Sequence, residues 1–170
     1  MPVAQRIRQG LTALRPRPED DEAVILSAWL TGAQQAAFRA LPVHDRGHLI
    51  RVGSALIATG TASHDLIVAG LLHDLGKQEG SARVRLVDRV AKVCLERTAP
   101  DILRRLADRE RTAPLCRGLM LAVHHPEIGS ERARFLGCTE RVCWLIKNHD
   151  NQAVADEELR RLIAIDRATP

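Results

Sequence analysis

From Leu66 to Leu72 every residue is apolar or glycine, and the run then meets His73-Asp74. A helix that is apolar on all sides belongs at the centre of a bundle. The stretch is too short for a membrane span, which needs about 20 apolar residues. The sequence predicts a helix over 66–75 that is stopped by Gly76, as a glycine at a helix C-terminus does. It also sets an imidazole and a carboxylate at the edge of a core. Charge there is costly unless it is paired or coordinates a metal.

The rest of the chain has to wrap this helix. Apolar residues recur at helical spacing with almost no period-two alternation, which predicts an all-α, compact single-domain helical bundle. A stripe of Val3, Ile7, Leu11 and Leu14 precedes the break at Arg15-Pro16-Arg17-Pro18. Four acids, Glu19 to Glu22, then fill a new helix's first turn, where they complement its dipole. A short helix around Phe38 and Leu41 stops near Pro42. Further helices are expected over 45–58, 84–95, 101–106, 115–123, 127–136, 140–148 and 157–165. Residues 77–83 read as a polar loop, and Ser63 reads as an N-cap.

At 170 residues, with 45% of them hydrophobic, the chain can bury a core without disulfides or a structural metal. Cys94, Cys116, Cys138 and Cys143 show no zinc-knuckle spacing and are expected to be buried free thiols of a reducing compartment. The first residues, Met1 to Arg8, have no apolar signal core, so a cytoplasmic location is expected. The net charge of +4 comes from arginines interleaved with acids, with lysine only at positions 77, 92 and 147. There is no basic stripe with stacking aromatics, which argues against nucleic-acid binding. No membrane partner is expected, and the pattern assigns no oligomeric state.

Six of the seven histidines fall in four segments, each at an expected helix end or on an apolar face. His44 and His48 are four apart and share a helix face. His73-Asp74 ends the apolar helix. His124-His125-Pro126 reads as a helix end followed by a proline-started helix, and His149-Asp150 as another helix end. His-Asp occurs four times, but His64-Asp65 follows Ser63 and is explained by capping.

Together these segments resemble the HD-domain metal-dependent phosphohydrolase superfamily over residues 42–167. Asp45-Arg46-Gly47-His48-Leu49-Ile50-Arg51-Val52 is similar to the family's first-histidine helix. Leu71-Leu72-His73-Asp74-Leu75-Gly76-Lys77 is similar to its central motif. His125-Pro126-Glu127-Ile128-Gly129 resembles the His-Pro-x-x-Gly segment of the two-metal branch, and His149 its further histidine. Asp166, after an apolar helix, best fits the closing aspartate; Asp150 competes for that place.

The resemblance implies an HD-type bundle over 42–170, with residues 1–41 as N-terminal helices packed on it as one structural unit. It implies two divalent metal ions, from among iron, manganese, zinc, magnesium and nickel. One would be held by His48, His73, Asp74 and Asp166, the other by Asp74, His125 and His149. The activity implied is hydrolysis of a small phosphorylated substrate, a phosphomonoester or phosphodiester of nucleotide-like kind. Asp74, Lys77 and His44 are the candidates for catalytic contacts, with His44 and His124 as lining or supporting residues. Lys77 either meets the substrate phosphate or is solvated past the helix end. Two alternatives share the ligand series: a di-iron HD-type oxygenase and a non-catalytic regulatory domain. The chain has no tyrosine, and Asn151-Gln152-Ala153-Val154 stands where cyclic-dinucleotide phosphodiesterases carry Gly-Tyr-Pro, which argues against that substrate.

Overall fold

The computed structural model describes residues 19–109, 113–153 and 155–169, with side chains from residue 22 onward. The stripe of Val3, Ile7, Leu11 and Leu14 lies outside the described residues. Among those described, nine α-helices enclose one main core: α1 (Glu19–Trp29), α2 (Gly32–Arg39), α3 (Val43–Ala58), α4 (His64–Leu72), α5 (Leu86–Thr98), α6 (Pro100–Leu106), α7 (Arg117–Phe135), α8 (Glu140–Asn148) and α9 (Glu157–Ala168). The expected all-α architecture is what is observed. None of the described helices is long and apolar enough to cross a membrane.

Helix α4 sits at the centre, as its composition demands. Every residue from Leu66 to Leu72 is buried, and α3, α8, α9 and α1 all pack against it. Burying each large aliphatic side chain is worth about 1.5–3 kcal/mol, so this one helix anchors much of the core. Close approach is built in by small residues. A Cβ on Gly70 would strike Leu56 of α3, and one on Gly53 of α3 would strike Leu71. Ser63 caps α4 as expected, accepting a hydrogen bond from the Leu66 amide at 3.1 Å. Thr139 and Asp156 do the same for α8 and α9. Leu26, Leu30, Phe38 and Leu41 from α1, α2 and the following turn enter the same core, so residues 22–41 share it with the later helices.

Three expectations are corrected. Helix α4 ends at Leu72 rather than Leu75, and His73 is its C-cap. The loop over 77–83 contains a small antiparallel hairpin, β1 (Gln78–Glu79) with β2 (Ala82–Arg83), turning at Gly80 with φ of 56°. The two helices expected over 115–123 and 127–136 are one continuous helix, α7, with Pro126 inside it. Proline in a helix interior lacks the N–H that would bond the carbonyl four residues back and crowds that carbonyl. Here the carbonyl is that of Ala122, and the His125 ring bonds it instead at 3.1 Å.

Of the four free cysteines only Cys143 is buried. Cys116 and Cys138 are half-buried, and Cys94 is exposed. Helix α5 is amphipathic with an apolar residue on both faces. Ala91 and Leu95 pack on the satellite cluster of Leu103, Ala107 and Leu119, while Leu86, Val87 and Val90 face outward.

Candidate metal centre

Three buried histidines are oriented by one repeated device. In each, Nδ1 lies on the carbonyl oxygen three residues earlier: His73 on Gly70 at 3.0 Å, His125 on Ala122 at 3.1 Å, and His149 on Ile146 at 2.6 Å. A carbonyl only accepts, so Nδ1 carries the proton and the neutral ring presents its lone pair at Nε2. His73 and His149 are helix C-caps, where terminal carbonyls lack intrahelical partners. In α7 the missing Pro126 N–H frees the Ala122 carbonyl in mid-helix and achieves the same result. A carbonyl partner of this kind is the usual second contact of a metal-ligating histidine.

The free ring atoms converge. The His73 and His149 ring centroids are 4.9 Å apart, those of His125 and His149 5.1 Å, and those of His48 and His73 5.6 Å. Asp74 lies among them with its side chain 2% exposed, Oδ1 standing 3.5 Å from His73 Nε2 and 4.0 Å from His149 Nε2. Its other oxygen, Oδ2, accepts from Lys77 Nζ at 2.6 Å. Two ligand groups result, His48–His73–Asp74 and Asp74–His125–His149, with Asp74 common to both.

Both candidate closing aspartates are present, one on each side. Asp166 Oδ1 is 2.9 Å from His48 Nε2 and 3.3 Å from His73 Nε2, so α9 brings it to the first group. Asp150 Oδ2 is 3.7 Å from His125 Nε2, and its Oδ1 is 3.8 Å from His149 Nε2, so it borders the second. Asp150 lies past the His149 cap of α8, which ends at Asn148, and it lines the cavity beside the cluster.

The electrostatics follow the same division. Burial pushes the His73 ring pKa down, but Asp74 and Asp166 outweigh it and the net shift is upward. Burial pushes Asp74 up, yet His73, Lys77, His149 and His125 together hold it well below the usual carboxylate range. Asp166 is likewise held low: burial opposes the shift, and its bonds to His48 and His73 prevail. On the other side burial dominates, lowering His125 to about 3 and lowering His149 as well.

Residues that bind no ligand position the site. A Cβ on Gly76 would strike the His125 carbonyl oxygen. Gly76 does not adopt positive φ; close approach of the turn over Leu75–Lys77 to α7, rather than a helix stop, requires glycine there. Arg132 on α7 bonds the carbonyls of Leu75, at 2.8 Å, and of Gln78. It clamps the backbone on either side of Lys77.

His44 is not part of this arrangement. It is exposed in the first turn of α3, four residues and therefore about 6 Å along the axis from His48. The shared face runs out to solvent before reaching it. His124 is half-buried and does not line the cavity beside the cluster. That cavity has a volume of about 230 Å³ and is lined by Asp74, Lys77, His125, His149, Asp150 and Asp166 together with Arg89, Lys92, Val84, Val93 and Ala122. Arg89 and Lys92 carry no local sequence signal; α5, packed on α7, brings them in.

The residues fit a pair of divalent ions. Asp74 Oδ1 is buried without a hydrogen-bond partner, at the point the imidazole nitrogens face. An unpaired buried carboxylate oxygen is costly unless a cation takes it. Comparison with protein-family models finds no match to this chain, and neither curated proteins nor solved structures yield a similar one.

Proposed function

We propose that the protein is a metal-dependent phosphohydrolase of the HD type with a dinuclear centre. The observation that carries the reading is the buried Asp74 carboxylate, shared by two histidine groups and left with one unpaired oxygen. His48, His73, Asp74 and Asp166 would hold one ion; Asp74, His125 and His149 the other, with Asp150 beside it. The imidazole-rich donor set favours iron, manganese, zinc or nickel over magnesium, which prefers oxygen ligands. Two divalent ions supply Lewis acidity toward a phosphoryl oxygen and acidify water near neutral pH.

The chain's own residues do the rest. Lys77 holds Asp74 ionised and in place, and its ammonium faces the cavity where phosphoryl charge develops. The Nδ1 anchors fix three rings, so no side-chain reorganisation is needed when an anion arrives. Arg132 and Gly76 keep the Lys77 turn against α7. The basic residues Lys77, Arg89 and Lys92 around the cavity favour a phosphorylated substrate over the neutral substrate of an oxygenase sharing these ligands.

The test is release of phosphate from a panel of phosphomonoesters, and of alcohol and phosphomonoester from a panel of phosphodiesters, by protein loaded with manganese or iron. The expected result is turnover that chelation abolishes and metal restores. Oxygen uptake without phosphate release would establish the oxygenase alternative, and full metal loading with neither activity would establish a binding domain.

A further inference from the structure

The cavity beside the cluster carries cationic groups that ion binding does not require. Lys77 enters from the turn after α4, while Arg89 and Lys92 enter from α5, three residues apart. The acids facing them are Asp74 for Lys77 at 2.6 Å, Asp45 for Arg89 at 3.7 Å, and Asp150 and Glu96 for Lys92 at 3.7 and 3.8 Å. Asp74 is a carboxylate that the proposed centre engages, and Asp150 lies beside it. Lys92 is within hydrogen-bond distance of neither of its acids, and its positive charge borders the cavity.

The remaining walls are Val84, Val93 and Ala122. No tryptophan or phenylalanine among the described residues lines the cavity. Trp29 stands against His64, Phe38 is in the core, Phe135 is on the surface, and Trp144 lies beneath the Arg141 guanidinium. Base recognition in open sites draws on such rings as stacking surfaces. The cavity holds about 230 Å³ and opens to solvent, so it seats a small group fully and leaves any larger one outside.

We propose that the substrate is a compact aliphatic phosphomonoester bearing a second anionic group, read by Lys92 and Arg89 while the phosphoryl group meets the cluster and Lys77. The proposal rests on the phosphohydrolase reading and departs from its nucleotide-like expectation. Hydrolysis breaks the ester P–O bond. Water gives its oxygen to phosphorus and a proton to the leaving alkoxide, so inorganic phosphate and an anionic alcohol leave with no redox partner.

Three probes separate the outcomes: phosphoglycolate, ethyl phosphate, which has the same two-carbon frame without the carboxylate, and adenosine monophosphate. For the metal-loaded full chain, phosphoglycolate is expected to have a kcat/KM about tenfold above ethyl phosphate, the worth of one charge-assisted contact, and to exceed adenosine monophosphate. In Lys92→Met that advantage should vanish through KM, the rise in KM being about tenfold larger for phosphoglycolate than for ethyl phosphate. Calorimetric titration of phosphoglycolate should show the same loss of affinity. Preference for adenosine monophosphate, or an equal fall for both small esters in Lys92→Met, would overturn the proposal and leave the hydrolase reading standing. Phosphate release from none of the three would leave the hydrolase reading to the wider panel of esters and diesters. The calorimetric titration would still decide this inference, because equal phosphoglycolate affinity in wild type and Lys92→Met overturns it.

Discussion

The two halves of the cluster share Asp74 but are held together differently. On the α3–α9 side, Asp166 bonds directly to His48 at 2.9 Å and lies 3.3 Å from His73, so the ligands contact one another. On the α7–α8 side no ligand pair comes so close: His125 and His149 stand 3.7 and 3.8 Å from Asp150, and each ring is fixed by its own backbone carbonyl. The first half therefore favours a proton among its groups, which raises His73, while the second keeps its rings neutral because burial lowers both. An ion entering the first half displaces a competitor; one entering the second meets open lone pairs.

The largest break in this comparison comes from removing what the halves share. Asp74→Asn should take the protein from two bound ions per chain to none, measured by elemental analysis after anaerobic purification. Two ions retained in that variant would show that Asp74 bridges nothing. Next come the two aspartates. Asp166→Asn should weaken metal binding by more than the about 10–100-fold typical of a supporting residue, and Asp150→Asn by about tenfold or less. Metal titration of both variants checks the order, and the reverse order would move the closing ligand to Asp150.

Acid should separate the halves without mutation. Metal binding displaces protons. Because His73 is raised above its ordinary value, its proton competes at higher pH than that of His125, which is lowered to about 3. Stepwise loss of ions on acidification, with the ligands of the first half released first by NMR of the imidazoles, is the expected result. Simultaneous loss would mean that the halves are not electrostatically distinct.

Two smaller effects test positioning. Gly76→Ala should cost about 1–3 kcal/mol of stability, the usual range for overpacking, read from denaturant unfolding. Pro126→Ala restores an N–H that competes for the Ala122 carbonyl. It should leave stability unchanged or slightly raised and weaken the second ion a few-fold, while the first ion is unaffected.

Much of this was legible in the residues. The apolar run over Leu66–Leu72 announced a central helix, and it is one. His48, His73, His125 and His149 do converge, but His44 and His124 do not: shared helical periodicity did not say how far along the axis of α3 the core extends, and His124 lines no part of the cavity. Pro126 hid the continuity of α7, because its ordinary effect is to end a helix and the compensating bond from His125 is a tertiary outcome. Asp150 lines the cavity from beyond the end of α8 at Asn148, a position that helical periodicity does not fix. Arg89 and Lys92 reach the cavity only through the packing of α5 on α7, which no local pattern encodes.

The central claim is that one buried carboxylate serves two ions. Anomalous diffraction at the metal edge from crystals of the manganese-loaded chain tests it most directly. Two peaks are expected, each within about 2.0–2.3 Å of an Asp74 oxygen, one beside His48, His73 and Asp166 and the other beside His125 and His149. A single peak, or two peaks of which one lies away from Asp74, would contradict it.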